Sequence, residues 1–273
     1  MCADVEVTPE VRVDAALLLV PRDAAMCDRT AAQLHGLPVP DDGWTHLAIS
    51  PHSDRPRLSG IRVHRLLDST NEVTTVRGRR VTTLPATFLA LAATLTLVDL
   101  VVLGDAMVRR GMVSPERLVE AAWVGHGRGV RLGRRAAALV RPRVDSPMET
   151  RLRLLLVLAG LPEPETNRAA YSRTGRWLAR PDLLYCGQRI AVEYDGRHHR
   201  DRVEQYEADL PRRERMDRAG WHVIVVTAAQ LRDPRGVALR VASALRERGE
   251  PAVAALFTSE WRDLFPGGSR GSR

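Results

Sequence analysis

Three carboxylates, Asp182, Glu193 and Asp195, fall within the stretch from Arg180 to Gly196, where the residue pattern predicts two short apolar strands joined by a tight turn. Gly187–Gln188 supplies the turn, and a Gly at the first central position favours a two-residue type II′ loop. That loop sets Cys186 opposite Arg189, Leu184 opposite Ala191 and Asp182 opposite Glu193. Directly opposed Cβ atoms lie about 5 Å apart, where like charges destabilise a pair of strands. Side chains alternate along a strand, so Asp195 shares the face of Glu193. A fold tolerates three such carboxylates when a divalent cation sits between them or when a proton is shared. A plainer description also fits: Asp182 starts a strand, and Glu193 and Asp195 line a solvated face paired with Arg180 and Arg189.

The elements that must position this hairpin follow from local signals. Ser146–Pro147–Met148–Glu149 fits a capping box in which Glu149 reaches back to the cap amide, opening a helix over 147–159 that Gly160 closes. A strand is expected near Ala169–Ser172. After the hairpin, a long polar helix is expected from about Arg200 to Arg218, kinked at Pro211. Gly220 ends it, Trp221–Thr227 is a buried strand, and Pro234–Arg235 leads into a closing helix to Arg248. The order α-β-β-β-α-β-α implies a mixed sheet with helices on its faces.

The front half is expected to be a smaller α+β domain. Val11 to Val20 forms a short helix, and Asp28 is the N-cap of a helix from Arg29 to His35. Strands cover Thr45–Ser50, Ile61–Leu66, Val73–Arg77 and Arg80–Thr83, and helices cover Pro85–Leu95, Leu97–Arg110, a run opened by Ser114–Pro115, and Leu132–Val140. The Pro- and Arg-rich Arg141–Pro142–Arg143 marks the boundary. The expected division is 1–142, 143–260, and a disordered tail over 261–273 that ends in a Gly/Ser/Arg-rich run. His52 and His64 show no ligand spacing, so no metal is expected in the front half.

Composition narrows the partners. The 273-residue chain carries 41 basic and 33 acidic residues, net +8, and every basic residue is Arg. The complete avoidance of Lys fits a GC-rich coding bias, while the Arg excess favours phosphate contact, since the guanidinium fork binds phosphate oxygens bidentately. With no Lys in the chain, no lysine can act as a catalytic group. Cys2, Cys27 and Cys186 are odd in number and lack CxxC spacing, which argues against a disulfide framework or structural zinc and fits a reducing cytoplasm. No apolar run reaches membrane-spanning length and no signal peptide is visible, so a cytoplasmic protein without a membrane partner is expected.

Residues 146–249 resemble the Vsr-like endonuclease domains of the PD-(D/E)xK superfamily. The resemblance rests on Glu149, Asp182, Val192–Glu193–Tyr194–Asp195–Gly196–Arg197–His198–His199, Asp209–Leu210–Pro211–Arg212 and Gly220–Trp221–His222–Val223–Ile224–Val225. It implies a restriction-endonuclease-like α/β fold in which Asp182 and Glu193 hold Mg²⁺, with Mn²⁺ able to substitute, the Tyr194 carbonyl stands beside them, and Glu149 supplies a helix acid. The superfamily lysine would stand at 195, where this chain has Asp. His199, with His198 as understudy, matches the histidine that takes over part of that work in Vsr-like relatives, since a neutral imidazole accepts a proton from water near pH 7. The catalytic set implied is Asp182, Glu193, Asp195, His199 and Glu149. Asp209 and Arg212 would buttress the site, and Arg197, Arg200, Arg202, Arg212, Arg213 and Arg215 would bind DNA phosphates.

Residues 28–110 resemble the core domain of AbiEi-type antitoxins, through Thr30–Ala31–Ala32–Gln33–Leu34–His35–Gly36–Leu37–Pro38, Gly60–Ile61–Arg62–Val63–His64–Arg65 and Val98–Asp99–Leu100–Val101–Val102–Leu103–Gly104–Asp105–Ala106. Only some ten residues precede the first helix, so the family's winged helix is expected to be absent. The resemblance makes this half the expected surface for a second copy or a protein partner. The combined expectation is a Mg²⁺-dependent DNA endonuclease or nickase, in DNA repair or phage defence. The alternative is a non-catalytic DNA- or protein-binding regulator of antitoxin type with a decayed nuclease half.

Overall fold

The computed structural model describes residues 8–50, 53, 56–65, 73–196 and 211–267. The chain forms two compact units that meet in sequence between Val140 and Arg141.

In the first unit, β1 (Ala25–Met26), β2 (Thr45–Ile49), β3 (Ile61–Arg65), β4 (Val73–Val76) and β5 (Arg79–Thr82) form one mixed sheet in the order β3-β2-β1-β5-β4. β2 pairs with β3 in parallel, Thr45 opposite Ile61 through Ile49 opposite Arg65. Arg77 (φ 48) and Gly78 (φ 76) turn β4 into β5 with two consecutive left-handed residues, the pattern of a type I′ hairpin. α1 (Pro9–Leu17), capped by Thr8, and α2 (Asp28–Leu34) bury Val13, Ala16, Ala31 and Leu34 against Met26, Leu47 and Val81 of this sheet. The helices α3 (Leu84–Leu91), α4 (Leu97–Arg109), α5 (Pro115–Val124) and α6 (Val130–Leu139) follow. Ser114 caps α5 by accepting from the Arg117 N–H, as the Ser-Pro start required. Asp28 was expected as the N-cap of α2. The cap position is Cys27 instead, and Asp28 adopts a left-handed backbone (φ 54) and is buried.

The second unit carries the expected α/β architecture, a mixed sheet flanked by helices. β6 (Glu165–Thr166), β9 (Leu183–Tyr185), β10 (Ile190–Asp195) and β11 (His222–Thr227) lie in the order β11-β10-β9-β6, while β7 (Ala170–Tyr171) and β8 (Trp177–Ala179) form a separate pair. β9 and β10 run antiparallel with Leu184 opposite Ala191, the register read from the turn, and β10 and β11 run parallel. The alternation of β9 and β10 sorts the two layers. Leu183, Tyr185, Ile190 and Val192 pack with Ile224 and Val226 under α7 (Pro147–Leu158) and α9 (Pro234–Glu247), through Leu152, Leu155, Leu156, Val237, Val241 and Leu245. Leu184 and Ala191 face the other way, toward Met216 of α8 (residues 211–218), Trp221 and the β7–β8 pair.

Three local expectations need correction. The hairpin turn closes as read, with the Arg189 N–H donating to the Cys186 carbonyl at 3.3 Å, but its left-handed residue is Arg189 (φ 52) and not Gly187. The loop is therefore not type II′. Arg189 is held in that conformation by side-chain bonds to the carbonyls of Ala219 (2.8 Å) and Tyr171 (3.3 Å). Second, the expected tail over 261–273 begins inside α10 (Ser259–Leu264). Trp261 is buried in the core under α7 and donates its indole N–H to the Leu155 carbonyl at 2.9 Å. A large apolar side chain with one polar tip gains from burial when that tip finds an acceptor, and this outweighs the disorder signal of the Gly/Ser/Arg-rich run that follows. Third, Ser146 caps α7 as expected, but Glu149 does not close the box on the cap amide. Its Oε2 accepts from the N–H of Asp145, one residue earlier, at 2.8 Å.

Candidate functional site

Glu193, near the end of β10, is two residues beyond Ala191 and so faces the α8 side of the sheet. It is 8% exposed. Both its oxygens are gripped by Arg212 on α8, Nη1 to Oε1 at 2.6 Å and Nη2 to Oε2 at 2.8 Å. Such a fork is the strong, geometrically specific form of an ion pair.

Asp182 lies one residue before β9, so the hairpin ladder ends beside it. Its Oδ2 accepts the Tyr194 N–H at 2.7 Å, and its carbonyl accepts the Asn167 N–H at 2.8 Å. The side chain thus ties the two strands together at the point where backbone pairing stops. Burial, followed by the charges of Glu149 and Glu193, raises the Asp182 carboxyl to about 7, against the pull of the Tyr194 N–H and the Arg212 charge. A carboxyl poised there exchanges protons near neutral pH.

Glu149, in the first turn of α7, is buried and held from two sides. Besides the Asp145 N–H, its Oε2 accepts the Asn167 side-chain amide at 2.7 Å, while that amide also donates to the Arg143 carbonyl at 2.9 Å. Asp145 itself pairs with Arg180. The charges of Glu149 on α7 and Glu193 on β10 thus both bear on Asp182. Asp195 is half-buried at the end of β10, opposite Thr227. Arg213 is half-buried on α8 and Arg215 exposed. His198, His199, Asp209, Arg197, Arg200 and Arg202 lie outside the described residues, as does His52.

Among the described residues, one group of three ligating side chains brings all its donor atoms within 4.8 Å of one another, and it lies in the first unit: Asp28, His46 and His64. The front half was expected to hold no metal, yet three possible ligands converge there. The group can hold a metal ion through two imidazoles and a carboxylate. His64 had been noted, but its partners come from β2 and from the start of α2, 18 and 36 residues earlier in a chain of 273. The legible signal was that His46 and His64 each alternate with apolar residues in adjacent predicted strands. The parallel register that puts Ala48 opposite His64 was not legible. No helix among the described residues is long and apolar enough to cross a membrane.

Two Mycobacterium tuberculosis proteins are similar to this chain: Uncharacterized protein MT2308 of strain CDC 1551 / Oshkosh and Uncharacterized protein Rv2248 of strain H37Rv. Each is 25% identical over 221 residues, which cover 80% of this chain and 80% of the relative. No family model matches the sequence. No solved structure matches it significantly.

Proposed function

We propose that the second unit is a divalent-cation-dependent nuclease that hydrolyses phosphodiester bonds in DNA at the Asp182–Glu193 hairpin, with Glu149 as the third acid. The observation that carries this reading is the joining of Asp182 to the partner strand at Tyr194, with Glu149 and Glu193 adding negative charge around its half-buried carboxyl. Carboxylates carried on a rigid sheet suit a hard cation with oxygen ligands.

The residues fit Mg²⁺ in donor type and in charge. Arg212 supplies the positive charge that Glu193 needs, a role that a cation bound beside Glu193 would share. Asp182 and Glu193 would hold the ion, and Mn²⁺ would substitute for Mg²⁺. The bound ion lowers the pKa of a water and neutralises charge growing on the phosphoryl oxygens. Glu149, fixed by Asn167 and the Asp145 N–H, holds the acid cluster in place from the helix side. His199 takes the proton from water, and Asp195 orients it. The chain's arginine excess meets the DNA backbone, through Arg213 and Arg215 of α8 with Arg197, Arg200 and Arg202. Cytoplasmic DNA repair or phage defence is the setting this chemistry suits.

Incubating the purified protein with supercoiled plasmid and Mg²⁺ tests the reading. Wild type is expected to nick or linearise the plasmid, chelator to stop it, and Asp182→Asn to abolish it. Equal cleavage by wild type and variant would reject the assignment. The bidentate Arg212–Glu193 pair favours one second reading, a non-catalytic DNA- or protein-binding regulator in which Arg212 permanently replaces the metal. It would bind DNA without added cation, lose affinity steeply with salt, and cleave nothing.

A further inference from the structure

We propose that Asp28, His46 and His64 form a separate binding site for one transition-metal ion of the zinc class, with an open coordination position facing a cavity in the first unit. This inference is independent of the nuclease reading.

The ligand geometry comes first. His46 Nδ1 lies 3.0 Å from His64 Nε2 and 3.8 Å from Asp28 Oδ2. Bonds of about 2.0–2.1 Å in a tetrahedral site place neighbouring ligand atoms roughly 3.3 Å apart, between those two distances. The imidazoles lie nearly parallel, 18° apart with centroids at 5.2 Å. His46 and His64 face the same side of the β2–β3 pair, because each is an even number of residues from the register pair Ala48–His64. Asp28 enters beside them from the chain just after β1.

The second observation is an imbalance of donors and acceptors. His46 Nε2 lies 3.1 and 3.2 Å from the two oxygens of Asp42, which also accepts from the Trp44 N–H. A neutral His46 donating there turns the lone pair of Nδ1 inward. The Asp28 carboxylate also faces inward. Its Oδ1 has no hydrogen-bond partner, although the residue is only 6% exposed. His46 Nδ1 and Asp28 Oδ2 thus meet at 3.8 Å, too far apart for a hydrogen bond, with His64 Nε2 beside them. Buried polar atoms are rarely left unpaired, and a cation satisfies both. A carboxylate behind a ligating imidazole, here Asp42, is the usual outer support of such a site because it fixes tautomer and ring angle.

Two nitrogens and one carboxylate suit zinc, cobalt or ferrous iron better than magnesium. Three protein ligands leave a coordination position free. Asp28 and His64 both line a cavity of about 420 Å³ whose wall also carries Arg65, His126 and Arg128. The cavity beside Asp28 and His64 thus carries basic groups, which suit a small anion at the open position.

The test is Co²⁺ titration of the chelator-stripped full chain, followed by visible absorption. One tightly held Co²⁺ with the intense band of a low-coordinate site is expected, displaced by Zn²⁺ and unchanged in Asp182→Asn. His64→Gln and Asp28→Asn are each expected to lose the band, and Asp42→Asn to weaken binding about 10–100-fold. Circular dichroism of each variant separates loss of the site from loss of fold. Imidazole-nitrogen NMR of the wild type needs no substitution, and there Nδ1 of His46 and Nε2 of His64 both shift on Zn²⁺ addition. Inorganic phosphate is expected to change the Co²⁺ band by reaching the open position. A wild type that binds no Co²⁺, or folded His64→Gln and Asp28→Asn proteins that keep the band, would overturn the site. The cluster would then be a hydrogen-bond relay among Asp28, His46, His64 and Asp42. A band indifferent to phosphate would overturn the open position.

Discussion

Arg212 closes both nitrogens of its fork on both oxygens of Glu193, so the acid at the centre of the proposed nuclease site is paired with a guanidinium. The pair is 26% and 11% exposed at its two side chains, buried enough that removing one partner strands the other.

Arg212→Met is expected to destabilise the protein by about 2–3 kcal/mol in chelator, because the Glu193 carboxylate loses its counter-charge while remaining largely buried. Millimolar Mg²⁺ is expected to restore part of that loss in the variant and to change wild type little. Urea unfolding with and without Mg²⁺ measures both. An Arg212→Met midpoint equal to wild type in chelator would mean that the pair carries no stability.

Asp182 makes stability depend on pH with a definite sign. Its folded carboxyl titrates at about 7, above the ordinary 3.8. Below the unfolded value both states hold the proton and there is no difference. Between roughly 4 and 7 the folded state keeps a proton that the unfolded state has lost, so stability falls as pH rises through this window, and the full penalty persists above it. Asp182→Asn removes the penalty and is expected to be more stable than wild type at pH 8, by on the order of 2–3 kcal/mol, with the difference shrinking toward pH 4. Thermal unfolding of both proteins across that range checks it. A wild-type stability that rises from pH 4 to 7 relative to the variant contradicts the assignment.

Gly187→Ala distinguishes the two turn geometries. A type II′ loop needs a left-handed residue at 187 and would lose about 1 kcal/mol or more on the substitution. Gly187 does not have a positive φ, and a Cβ there meets nothing within 4 Å. The variant is therefore expected to stay within about 0.5 kcal/mol of wild type. Chemical denaturation decides the matter.

Trp261→Ala is expected to cost about 3–5 kcal/mol, the range for removing a large buried aromatic side chain. The indole packs against Phe257 at 4.7 Å and Phe265 at 5.4 Å between ring centroids, and it satisfies the Leu155 carbonyl. A chain ending at residue 260 should be similarly weakened, whereas an unstructured tail would be dispensable. Limited proteolysis of the truncated chain gives the comparison.

Much of the second unit was legible because its signals are local. Ser146–Pro147 marks where α7 begins, and counting outward from the turn gives the register that sets Leu184 opposite Ala191. The continuous apolar run before Thr227 marks β11, and alternation puts Glu193 on the face opposite Val192. The pairing of Glu193 with Arg212 was not legible, since it depends on how α8 lies over the sheet, and sequence periodicity carries no such information. Asn167, which holds Glu149 across a separation of 18 residues, was missed for the same reason. The Asp28–His46–His64 group needs three elements brought together by strand order β3-β2-β1, a tertiary fact with no spacing rule behind it. Trp261 was misread because the composition of the residues after it suggested disorder, while one buried side chain anchors the helix that carries it.

Cation binding at the hairpin is the central claim, and Mn²⁺ titration followed by electron paramagnetic resonance tests it most directly. The His64→Gln protein is the starting point, so that the first unit's ligand group does not contribute. One bound Mn²⁺ is expected in that protein, with the bound ion lost when Asp182→Ala is added and bound more tightly when Arg212→Met is added. An identical Mn²⁺ isotherm with and without Asp182→Ala would contradict a cation held between Asp182 and Glu193.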